Sequence, residues 1–132
     1  ANLGVDSTFF SVVPNNSLGK SAVRWLRCND VHCTPMILST KEETPSHRLG
    51  TYYLETGYGI RPSKVIYDRM HSALTEYDLS KVDLDALFDG FDWLHLSGFT
   101  TSFEGTITEM IFSEKHRQQS AAEIIVCSGE TL

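Results

Sequence analysis

The chain has 132 residues, a formal net charge of −6, and 41% hydrophobic residues with 11% aromatics. That composition describes one modest domain, or part of a larger one, with enough apolar side chain for a core, and it excludes disorder as the default. The acidic balance argues against phosphate-backbone binding, which leaves a basic footprint, and no run approaches the roughly 20 apolar residues of a membrane span.

Residues 8–13 (TFFSVV) are β-branched and aromatic and stop at Pro14, so a buried strand is expected there. Asn15, Asn16 and Ser17 supply turn and N-cap chemistry for a helix over residues 18–28, with Leu18, Ala22, Trp25 and Leu26 as its apolar stripe. Residues 32–38 form the next strand, irregular or at an edge because Pro35 interrupts it. The polar stretch STKEETPSH, residues 39–47, reads as an exposed loop.

Residues 48–55 (RLGTYYLE) and 63–69 (SKVIYDR) flank the turn-rich TGYGIRP and predict a β-hairpin. A short helix follows over 78–88, with Leu79, Val82, Leu84 and Leu87 turned inward and Gly90 closing it. Residues 91–97 (FDWLHLS) form an apolar strand. From Thr101 a polar helix carrying Ile107, Met110 and Ile111 leads to a strand at 123–127. This order predicts a layered α/β domain with a small β insert and no internal repeat.

Most motifs have plain structural explanations. Cys28, Cys33 and Cys127 are odd in number and fit no paired metal spacing, so free thiols in a reducing cytoplasm are expected. Gly57 and Gly59 give G-x-G, but Arg61-Pro62 stands where a third glycine and a helix belong, and a tight hairpin tip explains both. Asp83, Asp85, Asp89 and Asp92 interleave with Leu84, Ala86 and Leu87 in a helical rhythm, as a solvated helix face does. His32 and Cys33 are neighbours on a strand and point to opposite faces, which makes joint metal ligation awkward. His47, His71, His95 and His116 are scattered, and spacing places no Ser/His/Asp or Cys/His set. The opening ANLGVDS carries no Met or basic-then-apolar leader, so no signal peptide is expected. It also starts almost inside a structural element, as a piece of a longer protein would.

The hairpin is the exception. Strand alternation puts Val65, Tyr67 and Arg69 on one face and Lys64, Ile66 and Asp68 on the other. If cross-strand pairs sum to an even number, Tyr53 joins Tyr67 and Arg69. Two phenols and a guanidinium then converge, a set that suits a small polyhydroxy carboxylate. The alternative is that tyrosine is simply a good strand residue and that the arginine is solvated.

LGTYYLETGYGIRPSKVIYDRMHSAL (49–74) followed by FDWLHLSG (91–98) closely resembles the PfkB, or ribokinase-like, carbohydrate kinases, most of all their 2-keto-3-deoxygluconate kinase group. ANLGVDSTFFSVVPNNSLGKSAVRWLRCNDV also looks like that family, and the resemblance covers roughly residues 1–98. It implies an α/β fold: a partial ribokinase-like, Rossmann-like body with a β-hairpin or β-sheet lid insert. The segments would be 1–47 as the start of the body, 48–72 as the lid, and 73–132 as the continuation of the body.

The resemblance further implies transfer of the ATP γ-phosphate, with Mg²⁺, to 2-keto-3-deoxygluconate or a similar sugar acid, in the cytoplasm. The implied substrate-binding residues are Tyr53, Tyr67 and Arg69, with Phe99 as a backbone or wall contact, and a homo-oligomer through the lid sheet is expected. The D-T-x-G-A-G-D signature, which supplies the anion hole and general base, is absent from these residues, as is the amino-terminal glycine-rich segment. No catalytic or metal-binding residue is therefore assigned. The ATP and Mg²⁺ elements lie outside the chain, and the 132 residues alone are expected to be inactive. After residue 100 the sequence departs from the family pattern, as a truncated or internally deleted kinase would. The alternative is a non-catalytic sugar-acid-binding or dimerisation module.

Overall fold

A β-branched strand that meets proline and a polar turn is set up to hand the chain to a helix. The computed structural model, which describes residue 1 and residues 3–97 and 123–127, does this at its start. Strands β1 (Ser7–Thr8) and β2 (Val12–Pro14) lead into helix α1 (Ser17–Arg27), and the chain returns through β3 (Val31–His32) and β4 (Ile37–Ser39). β1 pairs parallel with β3 and β2 parallel with β4, which makes a β-α-β unit.

Each strand expected at 8–13 and 32–38 is thus split in two. Between the pairs the register offset grows from 24 to 25 residues, because Ser7 faces Val31 whereas Val12 faces Ile37. The returning strand absorbs the extra residue in a turn closed by Met36 N donating to Cys33 O at 3.2 Å. Pro35 lies inside that turn and has no N–H to give to a ladder.

Asn16 caps α1: its Oδ1 accepts from Gly19 N at 3.0 Å, and its Nδ2 donates to His47 O at 3.0 Å. The buried stripe of α1 is not the expected one. Leu18 and Trp25 are 64% and 67% exposed, while Gly19 and Val23 are buried and Leu26 packs beside them. The cause is Gly19, whose missing side chain lets the helix lie against the Pro14 carbonyl and turns the neighbouring Leu18 outward. Val13, Val23 and Cys33 form the core cluster, with Leu26, Val31, Met36 and Leu49 around it.

The expected loop at 39–47 is more than a solvated connection. Ser39 and Thr44 are fully buried, and their hydroxyls meet at 2.8 Å. Each hydroxyl has one proton, so one donates to the other and the second donates to a backbone carbonyl, Val13 O at 3.3 Å from Ser39 Oγ or Thr40 O at 3.1 Å from Thr44 Oγ1. Buried hydroxyls demand partners, and these two satisfy each other. Ser39→Ala is expected to lower stability by about 1–2 kcal/mol, read as a lower urea midpoint at unchanged slope.

The antiparallel hairpin β5 (Thr51–Glu55) and β6 (Lys64–Asp68) follows as expected. Helix α2 (Ala73–Glu76) was not expected. It starts at Ser72, whose N–H donates to Thr75 Oγ1 at 2.9 Å, a capping arrangement using Thr where Glu or Gln is the usual signal.

These elements belong to one compact unit, Ala1–Asp78; the second is Leu79–Leu132. In the second unit the helix expected over 78–88 is two pieces, a 3₁₀ turn (Leu79–Lys81) and helix α3 (Leu84–Phe88). Asp83 separates them. Its Oδ1 accepts from Ala86 N at 3.1 Å, so it acts as an N-cap with extended backbone where a continuous helix needed a helical residue. Strands β7 (Trp93–Ser97) and β8 (Glu123–Cys127) pair parallel, Trp93 opposite Glu123. The helix expected from Thr101, with Ile107, Met110 and Ile111, lies outside the described residues. Among the described residues no helix is long and apolar enough to cross a membrane.

Candidate functional site

The hairpin closes around an eight-residue loop, residues 56–63, between Glu55 and its partner Lys64. Its glycines have structural work at the tip. A side chain on Gly57 would come within 2.2 Å of Arg61 O, and Gly59 has φ +61°. Tyr58 bridges to Arg61, whose N–H donates back to Tyr58 O at 3.1 Å.

An even number of loop residues makes the cross-strand pairs sum to an odd number, and register then decides the faces. Tyr52 lies opposite Tyr67, Leu54 opposite Val65, and Tyr53 opposite Ile66. The even-sum condition is not met. Tyr53 therefore shares its face with Thr51, Glu55, Lys64, Ile66 and Asp68, and does not converge with Tyr67 and Arg69.

Tyr52 takes the place expected of Tyr53. The Tyr52 and Tyr67 rings are 6.4 Å apart between centroids and tilted by 50°. Arg69 lays its guanidinium carbon 4.2 Å from the centroid of the Tyr67 ring, within cation–π range. Two phenols and one guanidinium thus meet on one face, with Leu54 and Val65 completing it. Both tyrosines are more than half exposed. Loop-length parity is the signal that could have found Tyr52 from sequence.

The opposite face carries an ion pair, Arg48 Nη2 to Asp68 Oδ2 at 2.6 Å. Hydrogen bonding to that carboxylate raises the pKa of the Arg48 guanidinium above its ordinary value. Chemically, the Tyr52–Tyr67–Arg69 face can present paired N–H donors to a planar carboxylate, with ring surface and hydroxyls beside it.

The remaining candidates separate as follows. His32 is exposed and pairs with Asp6 at 2.8 Å, while Cys33 beside it is buried. Among the described residues no cluster of three His, Cys, Asp or Glu side chains could hold a metal ion. Phe99 lies outside the described residues.

No protein-family model matches the sequence. A 2-dehydro-3-deoxygalactonokinase of Haloferax volcanii is 29% identical over 109 residues, which is 83% of this chain and 32% of that protein. The solved structure of a 2-dehydro-3-deoxygluconokinase from Thermotoga maritima matches with a TM-score of 0.80 and 33% identity, over 96% of this chain and 37% of its own. A PfkB family carbohydrate kinase from Listeria grayi matches with a TM-score of 0.78 and 33% identity, over 94% and 37% respectively. The chain spans about a third of the length of these relatives. Its similarity to PfkB carbohydrate kinases, first read from residues, is present in both sequence and fold.

Proposed function

We propose that the chain carries the sugar-acid-holding part of a PfkB-type carbohydrate kinase, with residues 48–72 as the lid. The complete enzyme would transfer the ATP γ-phosphate to 2-keto-3-deoxygluconate or a similar sugar acid. The observation that carries this reading is the Tyr52–Tyr67–Arg69 face. Its chemistry suits an anionic polyol, and the similar proteins include enzymes named for 2-dehydro-3-deoxy sugar acids.

In this reading Arg69 grips the carboxylate through paired charge-assisted hydrogen bonds. Tyr67 supports the guanidinium from below and Tyr52 borders the sugar. ATP and Mg²⁺ supply the phosphoryl group and its charge neutralisation. No residue of this chain is assigned to hold either, because the D-T-x-G-A-G-D signature is absent from its sequence. The compartment expected for such a kinase is the cytoplasm.

The face assignment is tested by two variants measured side by side. Tyr52→Ala is expected to weaken 2-keto-3-deoxygluconate binding by about 1–2 kcal/mol in titration calorimetry, with Tyr53→Ala staying within twofold of the parent. The reverse order would move the site to the other face. For the polypeptide that carries this chain, a coupled assay for ADP release should give turnover with the sugar acid. Turnover with neutral sugars only would make the sugar-acid assignment wrong.

A second reading rests on a separate observation. Tyr52, Leu54, Val65 and Tyr67 are all exposed, so this hairpin face is apolar and open, while Tyr53 and Ile66 are exposed among the polar residues of the other face. Such a two-stranded sheet favours pairing with a second copy. Light scattering should then report a dimer, and a clean monomer at high concentration would count against it.

A further inference from the structure

Arg48 stands just before β5, and its side chain reaches across to the end of β6. Its Nη2 contacts Asp68 Oδ2 at 2.6 Å and donates to Asp68 O at 3.0 Å. Its Nη1 donates to Met70 O at 3.3 Å. The two carbonyls flank Arg69 in the chain, one on each side. The backbone of Arg48 is itself held, because its carbonyl accepts from Ala73 N at 2.9 Å.

One planar guanidinium thus spans residues 68–70. Only arginine has a rigid fork that can serve a carboxylate and two carbonyls together; an ammonium is a compact point charge on a flexible stem. The side chain that emerges from the spanned segment is Arg69, stacked on Tyr67.

We propose that Arg48 is a positioning residue for sugar-acid recognition: by spanning the backbone on both sides of Arg69, it fixes the direction in which the Arg69 guanidinium leaves β6. The proposal rests on the reading that Arg69 holds the carboxylate. Arg48 itself lies beside the opposite face and touches no substrate. It acts through the geometry of Arg69.

The test is Arg48→Lys in the full chain, which keeps the charge and removes the fork. Two readouts are needed. The first is the proton NMR shift of the Arg69 side chain, which the Tyr67 ring current displaces while the stack is intact. The second is calorimetric affinity for 2-keto-3-deoxygluconate and for its uncharged amide. The expected result is collapse of the ring-current shift and about a tenfold loss of acid affinity. Amide affinity and the Tyr52–Tyr67 cross-strand contacts should persist.

Asp68→Asn, which leaves both carbonyl contacts in place, should show the same changes to a smaller degree. An unchanged shift and unchanged acid affinity in Arg48→Lys would overturn the proposal. So would loss of the cross-strand contacts, which would make Arg48 a residue of hairpin folding. If the parent chain does not prefer the acid over the amide, the sugar-acid reading itself fails. If the parent prefers the acid and Arg48→Lys does so equally, only the positioning role fails.

Discussion

Arg69→Ala is expected to weaken binding of 2-keto-3-deoxygluconate by about 1.5–3 kcal/mol, the range for removing a hydrogen bond to a charged group. That corresponds to roughly a ten- to hundredfold higher Kd by titration calorimetry. The effect should be confined to acids, because a neutral sugar has no carboxylate for the guanidinium to grip. Arg69→Lys should restore only part of the affinity. A lysine keeps the charge but neither presents paired donors nor lies flat on the Tyr67 ring. Hairpin stability should change little, because Arg69 stands just beyond the last paired residue of β6. An alanine variant that binds the acid as tightly as the parent would remove Arg69 from the site.

The second large effect concerns Gly19. Alanine inside a helix is ordinarily favoured over glycine by about 1 kcal/mol, so propensity alone says Gly19→Ala should stabilise. Packing says the opposite. A Cβ on Gly19 would lie 2.0 Å from Pro14 O and 3.1 Å from Pro14 C, both backbone atoms. Pro14 is buried and paired with Ser39 in the β2–β4 ladder, so it cannot retreat without breaking sheet contacts. Overpacking against an immobile neighbour costs about 1–3 kcal/mol, which outweighs the propensity gain. Thermal unfolding should show a lower midpoint for Gly19→Ala. A raised midpoint would mean that α1 does not sit on the end of β2.

Much of the fold was legible in the sequence because local patterns and long-range packing agreed. The hairpin, α1 and the strand at 123–127 follow from β-branched runs, turn residues and a strong N-cap, and all three stand where expected. Disagreement arose where a single residue overrode the pattern. Pro35 and the added residue beside it split two strands, and Asp83 split a helix. Gly19 turned the stripe of α1 by bringing a backbone too close for any side chain. The buried Ser39–Thr44 pair was invisible because polar composition describes exposure on average and says nothing about two hydroxyls that satisfy one another.

The composition of the hairpin face was legible in kind and its partner tyrosine displaced by one residue. Residue types gave two tyrosines and an arginine, and alternation carried one residue past β6 put Arg69 beside Tyr67, where its guanidinium stacks. The partner strand depended on register, which a hairpin settles through its loop. An eight-residue loop selects Tyr52, whereas a loop one residue longer or shorter would have selected Tyr53. Arg48 carried no signal at all, since its contacts with Asp68 and Met70 arise only when the two strand ends meet.

Carboxylate recognition by the Tyr52–Tyr67–Arg69 face is what the proposed function requires. The most direct measurement is a calorimetric comparison of 2-keto-3-deoxygluconate with its uncharged amide, on the parent chain and on Arg69→Ala. The parent is expected to bind the acid at least about tenfold more tightly than the amide, and Arg69→Ala to abolish the difference. Equal affinity of the parent for acid and amide, or a preference that survives in Arg69→Ala, would contradict it.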